Sequence, residues 1–167
     1  MSLKFKATIL AAVGSLLLGL VLVSTASPAQ AVGCVGSSCT GKGPVANSCD
    51  NDASTWTSVA FHIPGNGDAR AYLTYSNACN AFWTRAPSIC AIYGNEHEFL
   101  IQIVKKRMND ELLYRHIEGV ELCQTGGTGP VWDWTNMAGA AANTKIKGCV
   151  GFDLTSGRQW ECTPWWS

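Results

Sequence analysis

An all-β domain, a small barrel or sandwich held by disulfides, is the fold that the sequence predicts. Three observations carry it. Short runs rich in β-branched and aromatic residues recur along the chain, several with a polar/apolar period of two. Clusters of Gly, Pro, Asn, Asp and Ser, the residues that let a backbone turn, separate these runs. Eight cysteines, an even number, are spread over the same stretch: Cys34, Cys39, Cys49, Cys79, Cys90, Cys123, Cys149 and Cys162.

Residues 1–31 read as an export signal. Lys4 and Lys6 precede an uncharged apolar run over 7–23, and Ala29-Gln30-Ala31 offers a small-x-small cleavage site. The run is 17 residues long and contains Gly14, Ser15 and Gly19; roughly 17–25 residues are needed to cross a bilayer. Ten residues separate it from Cys34, too many for a lipid-attachment motif. The expected product is a secreted domain of residues 32–167 with no stable membrane span after signal cleavage. At 136 residues it is one domain by size. All eight cysteines lie in it, so four disulfides are expected, with partners that spacing alone does not choose. Each would add about 2–4 kcal/mol to a total stability of about 5–15 kcal/mol.

Residues 32–51 are Gly/Ser-rich and aperiodic, and read as a loop fixed by Cys34, Cys39 and Cys49. Residues 55–63 and 69–75 form a hairpin about Pro64-Gly-Asn-Gly-Asp68, with Ala71, Leu73 and Tyr75 alternating against Arg70, Tyr72 and Thr74. The segment 80–85 is short and ends at Ala86-Pro87, and 89–93 is a further short strand. Residues 96–118 support two readings. A helix over 96–108 would have Asn95 as N-cap and Glu98 completing a capping arrangement, giving an α+β domain. The hairpin reading alternates Phe99, Ile101 and Ile103, turns at Asn109-Asp110, and returns over 112–117. It would put Phe99, Ile101, Ile103, Leu113 and Ile117 on one face and gather Lys105, Arg107 and Arg115 near the turn. Ile and Val content favours the hairpin. Gly126-Gly-Thr-Gly-Pro130 is a loop without the Lys-Ser/Thr ending of a phosphate loop. Residues 131–135 form an aromatic strand, 137–142 suit close packing or a single helical turn, and 145–152 and 158–162 are final strands about Ser156-Gly157.

After removal of Lys4 and Lys6, 10 Lys and Arg face 12 Asp and Glu, a net charge of −2. That balance excludes a general nucleic-acid binder. Lys105-Lys106-Arg107 lies among Glu96, Glu98, Asp110 and Glu111 and reads as a solvated turn or strand end. Glu96-His97-Glu98, His62 and His116 lack metal-ligand spacing. Asp50-Asn-Asp52 starts like a calcium loop but has Thr55 and Phe61 where Gly and Glu are needed, so turn-capping is the expected use. No metal or cofactor is expected. Asp133 between two tryptophans would suit a sugar hydrolase, but no second carboxylate can be set against it, and no Gly-x-Ser-x-Gly frames a serine. Oxidised sulfur rules out a cysteine nucleophile. Trp56 and Trp83 are expected in the core against disulfides. Trp132, Trp134, Trp165 and Trp166 are the candidate recognition residues, because indoles offer large rigid contact area.

The run Cys34-x4-Cys39-x-Gly41-x2-Pro44, then Cys49-x2-Asp52-Ala53-x-Thr55, then Tyr75-Ser76-x2-Cys79-x3-Trp83-x-Arg85 resembles the YjfA-like family of small exported bacterial proteins. Trp134-Thr135-Asn136-Met137 and Cys162-Thr163-Pro164-Trp165 resemble its later blocks. The chain departs from the family pattern at Thr74, where Arg is usual, and at Gly43, where Asp is usual. The resemblance implies a secreted protein or extracellular module, carries no catalytic residue across, and leans residues 96–118 toward strands. The resulting expectation is a secreted, non-catalytic domain binding a protein or glycan at or outside the cell envelope. The alternatives are an extracellular hydrolase of cell-wall or other polymer, and a protease inhibitor presenting the strapped loop 36–47.

Overall fold

The computed structural model describes residues 31–63, 67–87, 99–120, 132–154 and 157–167. Nine strands account for most of them: β1 (Ser54–Ile63), β2 (Gly67–Ser76), β3 (Ala81–Pro87), β4 (Phe99–Arg107), β5 (Leu112–Gly119), β6 (Trp132–Trp134), β7 (Ala138–Gly139), β8 (Thr144–Leu154) and β9 (Gly157–Cys162). Two antiparallel sheets result. One runs β1-β2-β3-β6, with β7 also pairing β3; the other runs β5-β4-β8-β9. The all-β expectation holds, and the helix over 96–108 does not: residues 99–107 are strand. The expected strand at 89–93, the loop at 126–130, the turn residues 64–66, Ser156, Glu96-His97-Glu98, residues 1–30, Cys90 and Cys123 lie outside the described residues. Among the described residues no helix is long and apolar enough to cross a membrane.

The sheets pack face to face. From the first come Phe61, Ala69, Ala71 and Ala86; from the second Phe99, Ile101, Val150 and Phe152, all in one buried cluster. Phe61 stacks on Phe152 at 5.8 Å between ring centres. Alternation explains the choice of side chains, since residues two apart along a strand share a face. Small residues permit the close approach. A methyl at Gly148 would stand 2.6 Å from the Thr84 hydroxyl of the opposing sheet, and that hydroxyl donates to the Gln102 carbonyl at 2.8 Å.

The 99–119 hairpin forms, but its register differs from the expectation. Ile103 lies opposite His116 and Ile101 opposite Glu118, while a bulge sets Lys105 against Tyr114 and Lys106 against Leu112. The extra residue in β5, Leu113, shifts the pairing by one and turns each side chain to the other face. Ile117 therefore lies opposite Gln102, not beside Ile101 and Ile103. The expected gathering of Lys105, Arg107 and Arg115 also fails. Lys105 points inward and is 6% exposed, Arg107 pairs with Glu111 at 2.9 Å, and Arg115 lies opposite Val104 on the other face.

Trp83 is core as expected, packed among Cys34, Cys39, Cys49 and Cys79. Trp56 is not; it is 59% exposed. The β1–β2 register skips it between Thr55 and Thr57, so it is a bulge residue displaced from the alternation. Beyond β9 the chain continues beside β8, where Ile146 and Trp166 exchange both backbone bonds, at 2.7 and 2.9 Å.

Candidate functional site

The N-terminal segment is strapped over one end of the first sheet's outer face. It makes two short 3-10 turns, Gly36–Cys39 and Val45–Asn47. Cys34–Cys39 closes the first, and Cys49–Cys79 ties the segment to the β2–β3 turn. A carboxylate reinforces the second bridge. Asp52 accepts from the Ser76 hydroxyl at 2.5 Å and from the Ala78 amide at 2.8 Å, and Ser76 Oγ in turn accepts from the Cys79 amide at 3.0 Å. Burial by itself would raise the Asp52 pKa, but these bonds with the Asn77 amide hold it below the usual carboxylate value. Capping is thus the use of Asp52, although the capped turn follows β2 rather than lying beside Cys49. The four sulfurs of the two bridges lie within 4.8 Å of one another. All four are bonded pairwise, so they offer no thiolate to a metal.

Where the strap ends, a cleft opens on the outer face of the same sheet, with a volume of about 250 Å³. Pro44, Val45, Asp50 and Ala53 line it from the strap; Trp83, Arg85, Trp132 and Trp134 line it from β3 and β6. Pairing positions the β6 residues, with Trp134 opposite Arg85 and Trp132 opposite Pro87. The Arg85 guanidinium lies over the Trp132 ring, 4.9 Å from its centre, and donates to the Thr55 hydroxyl at 3.2 Å. Its buried Nε has no hydrogen-bond partner among the described residues. Tyr72 of β2 supports Trp132 across β3, with 5.8 Å between ring centres. Trp132 and Trp134 remain 37% and 40% exposed. The cleft thus has indole walls, a buried Trp83 beside them, one cation and one carboxylate, Asp50.

The other two candidate tryptophans lie elsewhere and apart from each other. Trp166 is half-buried, its ring 4.6 Å from Phe82 against the core. Trp165 belongs with the second sheet, beneath Lys106, Lys145 and Lys147. Trp165 and Trp166 are both half-buried and turn to different neighbours, because adjacent residues of an extended chain face opposite ways. Arg85 escaped the sequence reading as a site residue. Its place two residues after Trp83 in an alternating strand was the available signal.

Other titrating groups lie away from the cleft. Lys105 donates to the Gly139 carbonyl at 2.6 Å, and burial lowers its pKa. Burial raises that of Tyr114 across from it. Asp133, between the two cleft tryptophans in sequence, lies opposite Ala86, a residue of the inner cluster. The third described bridge, Cys149–Cys162, joins directly opposed residues of β8 and β9. The three disulfides among the described residues fit an oxidising, extracellular environment.

No curated protein and no solved structure matches the chain. Residues 37–109 match the model of a family described as a protein of unknown function (DUF2690). The matched stretch takes in the strap, Trp83 and Arg85, and stops short of Trp132 and Trp134. On that stretch the chain is similar to an uncharacterised family.

Proposed function

We propose that the chain is a secreted, non-catalytic binding domain that holds a segment of an extracellular glycan across the cleft between the strap and β6. The observation that carries this reading is the pair of part-exposed indoles, Trp132 and Trp134, fixed by strand pairing beside Arg85. Flat apolar ring faces suit the C–H faces of sugars, and the Arg85 and Asp50 side chains can bond hydroxyls at the edge. At about 250 Å³ the cleft is smaller than the roughly 300–1,000 Å³ of enclosed small-molecule sites, which suits a longer ligand lying across it. The leader, the disulfides and the motifs resembling the YjfA-like family support export.

Two features weigh against the alternatives. Asp50 is the one carboxylate among the described residues that line the cleft, whereas a glycoside hydrolase sets two carboxyl groups about the scissile bond. The loop 36–47 is folded into 3-10 turns with Cys39 and Pro44 buried, not held as a convex extended strap for a protease.

Tryptophan fluorescence titrated with neutral hexose and N-acetylhexosamine oligosaccharides tests the reading. Binding is expected, at least tenfold weaker in Trp132→Ala and in Trp134→Ala, with melting temperatures close to that of the parent. Turnover of an oligosaccharide, or binding that both substitutions leave intact, would overturn it.

A further inference from the structure

The second sheet presents its own charged surface, distinct from the cleft. Residues of β4 and β8 that lie opposite one another share a face, and the register pairs Lys106 with Lys145 and Val104 with Lys147. Val104 in turn lies opposite Arg115 of β5. Ile103, Ile146 and Val150 take the inner face, so these four cations occupy the outer one. The chain end then lays Trp165 among them. The ammonium groups of Lys147, Lys145 and Lys106 stand 4.6, 5.1 and 5.8 Å from the centre of its ring.

This crowd of like charge has little internal compensation. Asp110 reaches Lys145 at 2.7 Å and Lys106 at 3.8 Å. Among the described residues neither Lys147 nor Arg115 has a carboxylate within ion-pair distance. The side chains of Lys145 and Lys106 are only 16% and 29% exposed, so their stems are packed and their heads held in place rather than dispersed in solvent. Burial, then repulsion from Lys106, Arg115 and Lys145, lowers the Lys147 pKa. An anion would relieve that repulsion.

The geometry points to a binding surface for a phosphate-bearing anionic polymer, centred on Lys106, Lys145, Lys147, Arg115 and Trp165. A tetrahedral phosphate directs its acceptor oxygens out of any one plane and can meet ammonium donors from several sides at once, where a carboxylate's two oxygens and their lone pairs lie in one plane. Cations on three neighbouring strands, spaced about 4.8 Å apart, suit successive charges of a linear chain. Nucleic acid fits less well, because three ammonium groups already crowd the Trp165 ring and leave it a poor platform for stacking bases.

Binding of long-chain inorganic polyphosphate to the oxidised protein, measured over a range of salt concentrations, tests the proposal. Affinity should fall with salt, with a logarithmic slope near −2, as about three contacts at roughly 0.7 each would give. Lys147→Ala/Arg115→Ala should weaken binding at least tenfold and flatten the slope, and Trp132→Ala/Trp134→Ala should leave both unchanged. Should the alanine pair lower the melting temperature, Lys147→Gln, which keeps an aliphatic stem over Trp165, gives the same reading through its slope. Four results would overturn the proposal: no binding at low salt, salt-independent binding, full binding by the charge-removed variants, or tighter binding of polygalacturonate or a single-stranded oligonucleotide than of polyphosphate.

Discussion

At the scale of single residues, the spacing of the N-terminal motifs has a physical cause. Cys49 and Asp52 are three apart, as are Ser76 and Cys79, and the two sets lock together through the Cys49–Cys79 bridge and the Asp52–Ser76 bond. The charge on Asp52 is therefore part of the lock. Its pKa is lower folded than unfolded, so its contribution is fully present above the unfolded value of about 3.9 and is lost as pH falls through the folded value. Asp52→Asn should cost about 1 kcal/mol at neutral pH, the carboxylate being largely exposed. The difference from the parent should shrink as pH falls below about 4. Thermal melts of both proteins across pH 2–7 check this, and a difference that stays constant with pH would contradict the role given to the charge. The sequence showed that Asp52 sits in a turn-forming stretch. It could not show which turn the carboxylate caps, because the partner amides lie 26 positions away.

At the scale of elements, hairpins were legible and registers were not. Alternation in β2 set Ala71 and Leu73 on one face, and both are buried. In β4 it failed as a guide, because residues 99–105 are buried throughout and either register buries apolar side chains. What fixed the pairing was the bulge opposite Lys105 and Lys106, which has no compositional mark. The same limit hid the basic surface: Lys106, Lys145 and Lys147 meet only through strand pairing. The two-residue β7 shows a tighter constraint. A methyl on Gly139 would fall inside the backbone of Gly36 and Ser37, so β7 can approach the first 3-10 turn only without a side chain. Gly139→Ala should destabilise by about 1–3 kcal/mol or more, as overpacking against unyielding backbone does. Gly119→Ala, where an added methyl meets open space, should change stability by less than about 1 kcal/mol. Denaturant melts of the two variants side by side check the contrast.

At the scale of the whole molecule, the two sheets supply the apolar core, and the Cys34–Cys39 and Cys49–Cys79 bridges add a separate layer on the outside of the first sheet. That layer forms one wall of the cleft, through Pro44, Val45, Asp50 and Ala53, and seals Trp83 at 3% exposure. Chain-entropy arguments rank its two bridges. The sequence separation of 30 for Cys49–Cys79 corresponds to about 3.6 kcal/mol, and that of 5 for Cys34–Cys39 to about 2 kcal/mol. Cys49→Ala/Cys79→Ala should therefore cost more stability than Cys34→Ala/Cys39→Ala. It should also free the strap from β2 and β3, wet Trp83 and red-shift the fluorescence. Trp56, Trp132 and Trp134 are already exposed, so the shift must come mainly from Trp83 and should largely vanish when Trp83→Phe is added. Because the cleft needs the strap as a wall, loss of the longer bridge should also weaken oligosaccharide binding while polyphosphate binding on the second sheet persists. A Cys49→Ala/Cys79→Ala protein with the parent's spectrum and oligosaccharide affinity would mean that packing alone holds the strap in place.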